Sequence, residues 1–130
     1  MAKKPPKVIA LTKQAAALKA QLEAMPGAVG APGPAGGITI VKVMGKMFAI
    51  LSAREDFVIL KCDPHLAEQL REDYEGVGHR SHLDKRFWIA VSLNADVPAK
   101  EVKRLAAHSY DLVCTALTRK QRAELEALAS

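Results

Sequence analysis

Apolar residues recur at Leu11, Ala15, Leu18, Leu22 and Met25, in steps of four and three. That spacing predicts one buried stripe of an α-helix. Lys13, Lys19, Gln21 and Glu23 fall off the stripe, and Pro26-Gly27 stops it. Residues 26–37 then hold five Gly and three Pro, so a loop without any regular element is expected there. Gly27, Gly30, Gly33 and Gly36 fall every third residue, but so few triplets cannot sustain a collagen helix.

The pattern next shortens to runs that suit strands. Ile38–Val43 and Met47–Leu51 are dense in aliphatic residues, with Met44-Gly45-Lys46 as the turn between them. Phe57–Cys62 predicts a third strand. Asp63-Pro64 then starts a helix, with Asp63 as cap and Pro64 at the first position, where no N–H is needed. Leu66, Leu70 and Tyr74 form its stripe, and Arg71 is expected to look outward. His79–His82 reads as a short strand. Arg86–Leu93 alternates, with Phe87, Ile89, Val91 and Leu93 on one face and Trp88, Ala90 and Ser92 on the other. Asn94-Ala95-Asp96 is a turn, in which Asp96 is a second candidate cap. A long helix begins at Pro98, with Val102, Leu105, Ala106, Ser109, Leu112, Val113, Ala116 and Leu117 on its inner face. Thr118 and Gln121 match a capping box, so a last helix follows.

The predicted order is α-β-β-β-α-β-β-α-α. Short turns between consecutive strands make the sheet antiparallel. The expected fold is therefore α+β, a two-layer domain with an antiparallel sheet of about five strands covered by helices. Residues 1–7 read as a basic tail, and 8–130 as a single domain carrying the Gly/Pro-rich loop at 26–37.

Composition narrows the classes without choosing one. The chain has 130 residues, 49% hydrophobic and 25% charged, which excludes general disorder and a disulfide scaffold. Its net charge of +5 is unevenly placed: +7 over residues 1–54, −5 over 55–77 and +3 over 78–130. Lys3, Lys4 and Lys7 supply much of the excess from the tail, so the total overstates any nucleic-acid footprint. Cys62 and Cys114 lie far apart in apolar surroundings and read as free thiols of a cytoplasmic protein. No apolar run is long enough for a membrane span.

Several words then occur in a fixed order: Lys42-Val43, Gly45-Lys46-Met47-Phe48-Ala49 and Leu60-Lys61-Cys62-Asp63-Pro64. Later come Lys85-Arg86, Trp88, Asp96-Val97-Pro98 and Ser109-Tyr110-Asp111-Leu112-Val113. Over residues 41–122 the chain resembles the MmcQ/YjbR family of small bacterial proteins. The resemblance implies a secretion-chaperone-like α+β fold. It also implies a DNA-binding role, since the family commonly carries that label. The chain departs from the family pattern in two places. The Gly/Pro segment replaces acidic and aromatic residues, and Phe87 stands where His is frequent.

The residues themselves offer one candidate site. His79 through Arg86 is the densest polar cluster, and the single Trp stands beside it. An exposed Trp88 flanked by Lys85 and Arg86 is suited to stacking on a base while the cations meet phosphates. Arg80, His82, Lys42 and Lys46 are secondary candidates. The bland alternative is a sheet-edge turn with solvated charges and a packed Trp. No metal site is expected: Cys62-x-x-His65 is split by a helix start, and His79-x-x-His82 lies on an extended segment. No cofactor or nucleophile motif is present, so a non-enzymatic binding module is expected. A protein-interaction or homodimerising module and an unrecognised small-molecule enzyme are the rivals.

Overall fold

The computed structural model of the chain describes residues 12–34, 36–80 and 82–129. The expected basic tail and Leu11 lie outside them. Helix α1 spans Lys13–Ala24 and buries Ala15, Leu18 and Leu22. Strands β1 (Ala28–Pro32), β2 (Ile38–Val43), β3 (Lys46–Ser52) and β4 (Phe57–Lys61) follow, then α2 (Pro64–Asp73). Strands β5 (Val77–Gly78) and β6 (Trp88–Ser92) precede α3 (Ala99–Thr115) and α4 (Arg119–Ala129). The α+β expectation holds, with an antiparallel sheet of six strands in the order β1-β2-β3-β4-β6-β5.

Local chemistry sets most boundaries. The Asp63 carboxylate accepts from the backbone N–H groups of His65 and Leu66 and opens α2. Thr118 and Gln121 exchange the reciprocal bonds of a capping box at α4. Met44 (φ 49°) and Gly45 (φ 79°) make the β2–β3 turn with two positive φ angles, the twist that suits a tight hairpin. Asp96 does not cap α3. Its carboxylate accepts from the N–H groups of Glu75 and Gly76 and ties β5 to the β6–α3 turn.

The Gly/Pro-rich loop is corrected by the structure: residues 28–32 form the edge strand β1. An edge strand needs partners on one side only. The Gly33 N–H donates to Ile38 O, which by alternation turns residues 28, 30 and 32 outward. The N–H that Pro32 lacks is therefore one the sheet does not require. At Gly30 a Cβ would stand 2.1 Å from Glu23 Oε2, so glycine lets α1 lie against β1.

The helices cover one face of the sheet. Val41, Val43, Ala49, Leu51, Val58, Leu60, Ile89 and Val91 pack there against residues of all four helices. The β2–β3 register slips between Val41 and Lys42, which leaves Phe48 without a β2 partner. Phe48 and its neighbour Ala49 are both fully buried. This bulge frees the Phe48 carbonyl from the ladder, and buried Ser109 of α3 donates to it at 2.6 Å. Tyr110 meets the Phe48 ring edge-on and donates to Pro26 O.

Two stability predictions follow from these bonds. Ser109→Ala leaves a buried carbonyl without a donor and should cost about 1–3 kcal/mol in urea denaturation. The hydrogen bonds from Glu75 and Gly76 hold the Asp96 carboxyl below its usual range. A depressed folded pKa gives stability that is present above the unfolded value, about 4, and lost as pH falls. Asp96→Asn should therefore be less stable than wild type at pH 7, and the two curves should converge below about pH 4.

Candidate docking surface on the helix-free sheet face

Among the described residues, no helix packs on the second face of the sheet. Phe57, Ile59, Trp88 and Ala90 form a small cluster there, with Met47, Ile50, Leu83 and Phe87 packed around it. Its cover comes from the connection between β5 and β6, where Arg80 lies over Phe57 and Leu83 and Phe87 pack against the cluster. The expected strand at His79–His82 is thus displaced to Val77–Gly78, and residues after it form the cover. Phe87 is also corrected: it packs with Trp88, not with Ile89. The strand begins only at Trp88, so the two-residue alternation does not reach back to Phe87.

Arg71 fixes this cover. Its Nη2 donates to Lys85 O at 2.6 Å and to Trp88 O at 2.9 Å, pinning the connection to α2. The outward placement expected for Arg71 is overturned. Its helix face points at loop carbonyls that only the fold brings near. Cys62 N donates to Phe87 O at 2.7 Å and extends the β4–β6 ladder by one bond.

The candidate residues divide into two sets. Trp88 is 8% exposed and serves as floor, not as an open stacking platform. Arg86 is held by both oxygens of Asp84, and these bonds pull the Asp84 carboxyl down to about 2. Arg80 lies over the Phe57 ring and pairs with Glu55 at 2.9 Å. These three are committed within the protein. Lys85, His82, Lys42 and Lys46 are exposed.

The register brings the lysines to one end of the sheet. Lys42 pairs with Met47 and Lys61 with Trp88, and both lysines lie on the helix-free face. They are two strands apart, about 10 Å. Lys46 pairs with core-facing Val43, so it leaves the same end on the helix side. The Lys61 ammonium sits 5.1 Å from the Trp88 ring centre and 5.7 Å from that of Phe87. Such contacts are worth about 1 kcal/mol and leave the charge unneutralised. The six strands contain Lys42, Lys46 and Lys61 but no Asp or Glu.

The thiols are set apart from this surface. Burial pushes the Cys62 thiol up to about 11, with the neighbouring Asp63 charge adding to it. Cys62 is therefore protonated at neutral pH and belongs to the core. Cys114 is free and half-buried beside Tyr110.

These features define a two-layer α+β protein with helices on one sheet face and a lysine-bearing surface on the other. The model of the YjbR family matches residues 16–112, and the chain belongs to that family. It is 33% identical over 86 residues to the uncharacterised protein YjbR of Escherichia coli K12, covering 65% of this chain and 73% of that protein. The fold is similar to the crystal structure of a Deinococcus radiodurans protein. The TM-score is 0.76 at 28% identity, with 84% of this chain and 85% of that one covered. A Pseudomonas syringae protein shares the fold alone, with a TM-score of 0.61 at 21% identity over 78% of this chain and 98% of that one. No helix among the described residues is long and apolar enough to cross a membrane.

The burial of Trp88 has a direct optical consequence. It is the only tryptophan, so selectively excited tryptophan emission reports this site alone. Its fluorescence should be blue-shifted and poorly quenched by iodide. Arg71→Ala should release the cover, moving the emission to the red and raising iodide quenching.

Proposed function

We propose that this protein is a non-enzymatic binding module that holds an anionic partner on the lysine-bearing end of its helix-free sheet face. One observation carries the reading. Two strand lysines, Lys42 and Lys61, in a sheet whose strands hold no carboxylate, lie at one end of a face that no helix among the described residues covers. Exposed Lys85 of the covering connection lies at the same end, before the start of β6. Cations that form no ion pair among the described residues favour a polyanion and steer its approach. The protonated core thiol at Cys62 supports a binding role over nucleophilic chemistry. The two free thiols fit a reducing cytoplasm.

DNA is the polyanion to test first. The reading moves its contacts from the aromatic turn to the lysines. Arg86, neutralised by Asp84, and Trp88, buried, are removed from the leading positions. Lys42, Lys61 and Lys85 take them, with Lys46 at the margin. A protein partner is the second reading, favoured by the apolar groove described below.

Binding of single-stranded and duplex DNA, followed across a salt series, tests the reading. Affinity should fall as salt rises. Each of Lys42→Ala, Lys61→Ala and Lys85→Ala should lower the salt slope by about 0.7–0.9. Arg86→Ala should leave the slope unchanged. Equal slopes for wild type and the triple lysine variant would overturn the DNA form of the proposal.

A further inference from the structure

At the far side of the helix-free face from the covering connection, β1 and β2 form a groove of about 420 Å³. Its walls are Val29, Ala31, Pro32, Ile40 and Met44, with Lys42 as the one charged residue. Val29 is 65% exposed and continues the aliphatic lining of the groove. The groove has no aromatic ring for a base to stack on, and a single cation retains a polyanion poorly. Lys42 makes no ion pair among the described residues. Glu23 of α1 lies against Gly30 on the opposite face and pairs with Lys19.

We propose that this groove takes an acidic–aliphatic segment of a partner protein, with an aliphatic side chain against Val29, Ala31 and Ile40 and a carboxylate on Lys42. The inference rests on the protein-partner form of the binding-module reading and names that partner's chemistry. Charge complementarity selects the occupant: an aliphatic surface with one unpaired cation matches an aliphatic side chain beside an anion. The segment lies across the face and does not add to the edge. Of the outward groups of β1, the Ala28 N–H is bonded to Met25 O and Pro32 has none. Only Gly30 offers a donor, too little for a new strand.

Fluorescence anisotropy with three labelled hexapeptides tests the proposal: alternating Glu and Leu, alternating Lys and Leu, and alternating Glu and Ser. The Glu/Leu peptide should bind at least tenfold more tightly than the other two. Val29→Asp and Lys42→Glu should each weaken it tenfold or more. Both side chains are exposed, and unchanged circular dichroism would show the fold intact. Lys61→Ala should leave peptide affinity unchanged while lowering DNA affinity, so failure of the groove and failure of the DNA reading are separate results. Equal affinity for the three peptides, no binding, or indifference to both substitutions would overturn the proposal. So would a two-chain mass in light scattering that Val29→Asp returns to one chain, because the groove would then belong to a second copy.

Discussion

The bond from Ser109 to the Phe48 carbonyl ties the long helix α3 to the middle of the sheet, on the face that carries the apolar core. A bulge turns Phe48 and Ala49 inward together and leaves one carbonyl off the ladder. In a buried setting that carbonyl must find a donor. Ser109 supplies it, which sets the long helix α3 over the middle of the sheet. Helices α1, α2 and α4 share the same core, so every helix among the described residues lies on that side. The opposite face is left to one connection and its own side chains.

That asymmetry produces the docking surface. The connection between β5 and β6 covers the cluster on β4 and β6, pinned by Arg71 and floored by Trp88. The half over β1 and β2 stays open and aliphatic. Between the halves stand Lys42 and Lys61, with neither carrying an ion pair among the described residues. The surface has three parts with different chemistry: an aromatic floor, a pair of lysines and an aliphatic groove. Anions suit the middle part, and an aliphatic side chain beside an anion suits the last two together.

What could be read from the sequence was local in its physics. Asp63-Pro64, the Thr118–Gln121 box and the Met44-Gly45 turn are set within a few residues, and the structure keeps each of them. The inner face of α3 was legible at Val102, Leu105, Ala106, Ser109 and Val113, whereas Leu112 is only half-buried and Ala116, the cap residue past the last helical turn, is exposed. Strand β1 was not, because Gly and Pro argue against strands in general but not against an edge whose outward N–H is dispensable. The burial of Trp88 and the inward role of Arg71 depend on the connection between β5 and β6, whose placement no local pattern encodes. The lysines were visible one by one. Their shared end of the sheet follows from strand order and register.

An amide-resolved NMR titration tests the central claim, that the helix-free face is the binding face. The Glu/Leu hexapeptide or a single-stranded oligonucleotide is added to the labelled full chain. Shift changes should gather in β1 and β2 for the peptide, and at Lys42, Met47 and Lys61 for the oligonucleotide. Amides of α1 and α3 should stay in place. Changes centred on those helices, with the strand amides still, would contradict the account.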